Sequence, residues 1–329
     1  MARLNRTGTE EASVLARARA LSTLGPLLAL ILASVFFTTR TDRFLTSDNF
    51  SLIFQQIAVV GIIAIGQTLV ILTAGIDLSC GAVMAFGTIV MTRLAVTHGL
   101  NPFEAIALGV AVCTGFGALN GLLVTGLRLP PFIVTLGTLN IAFALTHITS
   151  NEETIANLPV PLTFFGDTFR LSQTSITYGS VLALGLALVT WFVLTQTIGG
   201  RHIYATGNNP DAARLAGVRT RRVLIAVYTS AGLLYGIAAL VLIGRTGVGD
   251  PQAGQSDNLD SITAVVVGGT SLFGGRGGVV GTLIGTLIVG IFRNGLQLMG
   301  VAAIYQFLIT GVLVIIAVAV DQLSRRRRA

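Results

Sequence analysis

Ten apolar stretches, separated by short polar or arginine-bearing segments, dominate this sequence of 329 residues. Each stretch is long enough, or nearly so, to cross a hydrocarbon core of about 30 Å, which takes about 20 helical residues. With 11% charged and 53% hydrophobic residues, the composition is that of a membrane protein rather than of a soluble domain. The sequence therefore predicts an all-α integral membrane protein with about ten transmembrane helices, near 21–38, 52–73, 80–96, 103–125, 131–150, 175–197, 223–245, 260–273, 278–299 and 301–320.

The arginines are distributed unequally between the two sides that these stretches define. With the N-terminus in the cytoplasm, 15 of the 21 arginines lie on the cytoplasmic side, and most acidic residues lie on the other side. This bias is the one that sets membrane orientation, so both termini are predicted to be cytoplasmic. The predicted organisation is a cytoplasmic arm (1–20), a single transmembrane domain (21–320) with a cytoplasmic loop (198–222) and an external loop (150–174), and a basic cytoplasmic tail (321–329).

Several classes of function are disfavoured by the residue types present. The chain contains no lysine, which excludes a G-x-x-x-x-G-K-[ST] phosphate loop, and the arginines lie at segment ends rather than in a nucleic-acid-binding patch. The apolar stretches are expected to offer only Asp77 as an ionisable residue, and that near a segment end, so a proton relay is poorly supported. The histidines are scattered, and no metal site or catalytic group is expected. The energy for any transport is therefore expected to come from elsewhere.

A glycine-bounded segment, 66–81, joins the second and third apolar stretches. Its polar residues Gln67, Thr68, Asp77 and Ser79 allow two interpretations. Asp77 and Ser79 could cap the helix that follows, or all four side chains could face a permeation path. A related pattern recurs 194 residues later, where Gly75, Leu78, Gly81, Gly87, Thr88 and Thr92 correspond to Gly269, Leu272, Gly275, Gly281, Thr282 and Thr286. This predicts a duplicated helix, turn and helix near a substrate path, unless the glycines only permit close helix packing.

The predicted cytoplasmic loop contains the signals of one short helix. Asn209 suits the N-cap, Pro210 the first helical position, and Gly217 the C-terminal end. Between them lie residues that favour a helix and its dipole, namely Asp211, Ala212, Ala213 and Arg214. So short a helix is unstable alone in water, so we expect it to dock against this protein or a partner. A solvated turn at the membrane interface is the alternative.

Several of these motifs together resemble a known family. The pattern from Asp211 to Gly217 is similar to the E-A-A-x-x-x-G motif of ATP-binding-cassette (ABC) importer permeases, with Asp in place of Glu. From about residue 50 to 321 the chain resembles the ribose-type monosaccharide permeases, although Asn258 stands where that family often has Glu. The resemblance is carried by 66–79 (GQTLVILTAGIDLS), 120–121 (NG), 130–138 (PPFIVTLGT), 207–213 (GNNPDAA), 264–275 (AVVVGGTSLFGG) and 294–296 (NGL).

The resemblance implies a subunit of a sugar importer in the bacterial inner membrane, with an ABC importer permease fold and interrupted helices. It implies that a separate ATPase subunit, which holds ATP and Mg, docks on the helix at 209–217. Further implied partners are an extracytoplasmic sugar-binding protein, a second permease copy or a close paralogue, and membrane lipid, but no nucleic acid. The chain itself is expected to bind no cofactor and to perform no covalent chemistry.

A path for a neutral polyhydroxylated solute needs hydrogen-bonding groups and an aromatic ring. Besides the residues of segment 66–81, the candidates are Asn120, Phe132, Thr135, Asn140, Asn294 and Gln297. Hydrogen bonds between helices are the alternative role for Asn120, Asn294 and Gln297. The alternatives to a sugar importer are a branched-chain amino-acid permease and a passive channel or secondary carrier.

Overall fold

A computed structural model describes residues 25–171 and 174–326, so the predicted arm (1–20) and the last residues of the predicted tail (327–329) lie outside the described residues. The described part is mostly helical. Its α-helices are α1 (Gly25–Arg40), α2 (Ser47–Leu72), α3 (Cys80–Val96), α4 (Pro102–Gly126), α5 (Pro131–Ser150), α6 (Val160–Thr163), α7 (Tyr178–Gln196), α8 (Ile198–Asn208), α9 (Pro210–Leu215), α10 (Thr220–Thr246), α11 (Asp257–Val267), α12 (Val279–Leu298) and α13 (Ala303–Arg326).

Each of the ten predicted apolar stretches contains one of these helices. Among the described residues, six helices are long and apolar enough to cross a membrane, namely α2, α4, α5, α7, α10 and α12. The eighth prediction, 260–273, is wrong in its bounds, because α11 ends at Val267. The residues that follow include Gly269, Gly274 and Gly275, all with positive φ, so the backbone cannot continue as a helix there.

The predicted external loop is more structured than a connector. It contains α6, a 3₁₀ turn (Phe164–Gly166) and an antiparallel hairpin of β1 (Thr168–Leu171) and β2 (Thr174–Thr177). The all-α prediction is therefore wrong at this place. The Ser175 N–H donates to the Ser51 hydroxyl at 2.9 Å, which ties the hairpin to the first turns of α2.

α2 forms the centre of the helical bundle. Of its most apolar 18 residues, 78% are buried, against 28% for α4, 28% for α5 and 22% for α7. The outward faces of these three helices carry large exposed apolar side chains such as Phe103, Ile141 and Trp191. Apolar surface of that extent requires lipid or a protein partner rather than water.

Glycines bring α4 and α10 into close contact. A Cβ atom at Gly117 would overlap the carbonyl oxygen of Tyr228 and crowd the backbone of Gly232. Gly121 in the same way faces the backbone of Ile225. Small residues therefore allow backbone contact here, as expected for helices packed without a hydrophobic driving force between them.

Candidate functional site

The segment between α2 and α3, residues 73–79, folds back along α2. The Asp77 carbonyl accepts a hydrogen bond from the Gln67 side-chain amide, five residues before α2 ends at Leu72. The same amide nitrogen lies 3.2 Å from the Cys80 thiol sulfur. At a rise of about 1.5 Å per residue, this segment returns about 7–8 Å into the bundle before α3 begins. Segment 66–81 is therefore an interrupted helical element, as the sequence predicts.

A chain of hydrogen bonds runs from this turn to three helices. Asp77 Oδ1 accepts from the Ser79 N–H (2.8 Å) and hydroxyl (2.6 Å), and Asp77 Oδ2 accepts from the Tyr235 hydroxyl at 3.3 Å. Asn120 donates to the Ser79 hydroxyl at 3.1 Å and accepts from the Thr138 hydroxyl at 2.8 Å. All five side chains are buried. The turn is thus connected to α10, α4 and α5 without contact with solvent.

The capping prediction for this turn is wrong in detail. Ser79 is the N-cap of α3, but its side chain makes no cap hydrogen bond. Its hydroxyl donates to Asp77 instead. The Asp77 carboxylate accepts from the main chain two residues later, which stabilises the turn rather than the helix.

The other predicted path residues divide into buried and exposed groups. Thr68 and Thr135 are buried; Thr68 pairs with the Thr282 hydroxyl at 2.6 Å, and Thr135 donates to the Ile76 carbonyl at 3.1 Å. Asn294 donates to Asn49 Oδ1 at 2.8 Å, so it makes an interhelical hydrogen bond. The remaining three, Phe132, Asn140 and Gln297, are exposed.

The predicted duplication is present as two helix–turn–helix elements with turns of different length. The first turn spans residues 73–79 and the second spans 268–278. In the helix after each turn, one threonine hydroxyl bonds back by one helical turn at 2.8 Å: Thr92 to Thr88 and Thr286 to Thr282. The corresponding glycines also serve close packing, since a Cβ at Gly87 would overlap the Cys113 sulfur. Both interpretations of the motif therefore apply.

The second turn and the end of α2, where the first turn begins, meet at α8. The Gly275 N–H donates to the Leu72 carbonyl at 2.9 Å, which joins the second turn to the end of α2. A Cβ at Gly207 in α8 would overlap that carbonyl and lie against the Gly275 nitrogen. The Tyr204 hydroxyl of α8 donates to the Gly277 carbonyl at 2.9 Å, and burial raises the pKa of Tyr204, which keeps this donor protonated.

The short helix of the predicted cytoplasmic loop is α9. Asn209 caps it, with Oδ1 accepting from the N–H groups of Asp211 (3.1 Å) and Ala212 (2.9 Å). Gly217 follows its end with φ +85°. Ala213 packs inward, whereas the Leu215 side chain is 91% exposed. The predicted helix is confirmed, and it presents an apolar side chain with no cover in the described part of the chain.

A cavity of about 440 Å³ lies at the opposite end of the bundle. It is bordered by α2, α10, α12, α13 and the segment between α10 and α11. We call it the charged cavity, because two arginines and two aspartates line it: Arg245, Arg293, Asp250 and Asp257. Its neutral polar lining includes Gln56, Gln252, Gln255, Ser256 and Gln297. Of the predicted path residues, Gln297 is the one that lines it.

Sequence reasoning missed the ion pairs of this cavity. Arg293 Nη1 lies 3.0 Å from Asp260 Oδ2 and 3.9 Å from Asp257 Oδ1. Arg293 lies within predicted stretch 278–299, and Asp260 lies within 260–273, so the prediction that the apolar stretches offer only Asp77 as an ionisable residue is wrong. The signal was available, because a charged residue inside an apolar stretch is costly and marks a functional position by default.

Comparison with known proteins identifies the family. The model described as "Branched-chain amino acid transport system / permease component" matches residues 49–318. The chain is 46% identical to the fructose import permease FrcC of Rhizobium meliloti, over 92% of this chain and 85% of the relative. It is 40% identical to the ribose import permease RbsC of Bacillus subtilis (91% and 92% covered). Identity with the D-allose permease AlsC of Escherichia coli is 37% (90% of each chain).

No solved structure matches the chain. The matched range and the identities show that the chain belongs to this family of permease components, as a multi-pass bacterial inner-membrane protein that acts in transport and is not an enzyme.

Proposed function

We propose that this chain is the permease subunit of an ATP-driven importer that carries a neutral monosaccharide, a pentose or hexose, across the bacterial inner membrane. The similarity to fructose, ribose and allose permeases over nine tenths of the chain supports the substrate class. The observation that carries the ATP-driven mechanism is α9, a capped helix that exposes Leu215 on a chain with no phosphate loop.

The importer that we propose contains four kinds of component. A separate ATPase subunit holds ATP and Mg and docks on Asn209–Gly217. A sugar-binding protein delivers the solute on the opposite side, where the hairpin of β1 and β2 offers a contact surface. A second permease, either a copy or a paralogue, completes the membrane path. The present chain crosses the membrane ten times with both termini in the cytoplasm, which the arginine distribution supports.

In this mechanism, ATPase closure moves α9, and α9 moves α8. Because α8 contacts the second turn and the end of α2, where the first turn begins, its displacement reaches both interrupted elements together. The buried residues Gln67, Thr68, Asp77, Ser79, Asn120, Thr135 and Asn294 hold these elements in the present conformation. Phe132 and Asn140 on α5, with Gln297 on α12, are the predicted path residues accessible to solute.

The test is sugar uptake by proteoliposomes that contain the complete transporter. Wild-type vesicles loaded with ATP should accumulate labelled fructose, ribose or allose, and vesicles loaded with a non-hydrolysable ATP analogue should not. Uptake that persists without ATP hydrolysis would identify a channel or secondary carrier instead. Uptake of leucine without uptake of any sugar would favour the branched-chain amino-acid function, which the family description supports.

The variant Leu215→Glu tests the docking helix. Its side chain is almost fully exposed, so the fold should tolerate the change, while a carboxylate placed in an apolar interface is strongly unfavourable. We expect the ATPase to co-purify at least tenfold less well and uptake to fall in proportion. Leu127→Glu, another exposed leucine of the predicted cytoplasmic side outside α8 and α9, is the control. Equal ATPase retention by the two variants would contradict the role of α9.

A further inference from the structure

We propose that the charged cavity is a sugar-binding site within the permease itself, in which Arg245, Arg293 and Asp257 recognise the hydroxyl groups of a monosaccharide. This inference rests on the proposed function and adds a site to it. The sugar would then be selected at two sites, one in the binding protein and one in the membrane subunit.

The position and size of the cavity suit this role. It lies where α10 ends and α11 begins, at the predicted external side, which a solute released by the binding protein reaches first. Its volume of about 440 Å³ lies within the range of about 300–1,000 Å³ that is usual for small-molecule sites. α2 lines the cavity at Gln56 and contacts α8 at its other end, at Leu72. A bound solute would therefore contact a helix that α8 also contacts.

Charges of both signs border the cavity, which suits a solute that both donates and accepts hydrogen bonds. Two arginines and two aspartates line it, and a third aspartate, Asp260, lies just behind Arg293. Arg293 is already paired with Asp260 and lies close to Asp257. A sugar hydroxyl both donates and accepts, so neighbouring hydroxyls can bind a guanidinium and a carboxylate together through charge-assisted hydrogen bonds.

One buried polar atom of the lining lacks a partner in the described part of the chain, because Gln56 Oε1 accepts no hydrogen bond there. Arg245 is exposed and forms no ion pair among the described residues, so its guanidinium is available to a solute. Buried polar atoms without partners are rare in native proteins and call for an explanation such as a ligand. Phe307, half exposed at the same cavity, supplies an aromatic face for the C–H groups of a sugar ring.

A second cavity of about 80 Å³ adjoins the first. The two share Ser256, Val289, Arg293 and Phe307, so Arg293 and Phe307 stand between them. The smaller cavity is lined by further hydroxyl and amide groups, including Thr263, Gln306 and Thr310. A sugar in the charged cavity would therefore touch the two side chains that separate it from this next polar space.

The experiment measures sugar binding by the assembled permease–ATPase complex in nanodiscs without the binding protein. Saturation-transfer NMR with fructose and ribose gives the half-saturating concentration. Arg245→Gln removes an exposed guanidinium without breaking an ion pair of the described chain, and Gln56→Leu removes the amide. We expect each variant to raise the half-saturating concentration about tenfold, because that factor corresponds to the free energy of one hydrogen bond to a charged or buried group.

Arg40→Gln is the matched control, because it removes a guanidinium from the same predicted side outside the cavity. The inference is overturned if the wild type binds no sugar, if both cavity variants bind as the wild type does, or if Arg40→Gln weakens binding equally. It is also overturned if leucine, and not sugar, occupies the site. Sugar uptake by the complete wild-type transporter separates the two proposals: if uptake is intact, only the cavity assignment fails.

Discussion

Asn120 uses both ends of its amide inside the protein. Nδ2 donates to the Ser79 hydroxyl, and Oδ1 accepts from the Thr138 hydroxyl, so one side chain joins the turn at 73–79 to α4 and α5. Asn140, two residues after Thr138 on α5, is exposed, and its amide donates to the Leu136 carbonyl of its own helix. The two asparagines thus have different roles, because Asn120 is buried among polar partners and Asn140 is exposed.

The variant Asn120→Leu should destabilise the protein by about 1–3 kcal/mol, because it leaves the buried Ser79 and Thr138 hydroxyls with fewer partners. Thermal unfolding in nanodiscs measures the loss. Asn140→Leu is the matched control and should be near neutral. If both variants melt at the same temperature as the wild type, the network does not stabilise the turn.

α8 is the element that connects the docking helix to the bundle. It is followed at once by α9, and it contacts the second turn and the end of α2 through backbone atoms at Gly207, Leu72 and Gly275, in addition to the Tyr204 hydroxyl. Backbone contacts leave little room for adjustment, since any side chain at Gly207 would displace one partner. A displacement of α9 should therefore displace both turns as well.

The variant Gly207→Ala should uncouple ATP hydrolysis from transport. The added Cβ separates α8 from Leu72 and Gly275, while the docking surface of α9 is unchanged. We expect the ATPase to co-purify normally and uptake to fall at least fivefold. Gly199→Ala lies in the same helix, where the added Cβ would make only an ordinary van der Waals contact with the Thr197 hydroxyl, and it should transport normally. Normal uptake by Gly207→Ala would show that coupling takes another route.

At the scale of the whole molecule, orientation can be measured directly. The native thiols Cys80 and Cys113 are both fully buried, so an introduced surface cysteine should be the one that reacts. With a membrane-impermeant maleimide on intact spheroplasts, Glu153→Cys should be labelled at once. Arg201→Cys should react only after the membrane is opened. The reverse pattern would invert the proposed topology, and the wild type is the unlabelled control.

The sequence predicted the elements better than the contacts between them. Periodicity and caps depend on neighbours in the chain, so the α9 signals from Asn209 to Gly217 sufficed to place that helix. The pairing of Arg293 with Asp260, and the meeting of both turns at Gly207, join residues far apart in sequence. The hairpin of β1 and β2 was missed because each strand has only four residues, too few for the alternation in Thr168–Leu171 to stand out.

The hydrogen bond from the Gly275 N–H to the Leu72 carbonyl also provides a way to measure motion between the second turn and α2. That amide is protected only while the second turn and the end of α2 remain together. Its hydrogen–deuterium exchange rate therefore measures how often these two separate, with no probe attached to the chain. In a working transporter, this single backbone proton should exchange faster during ATP turnover than at rest.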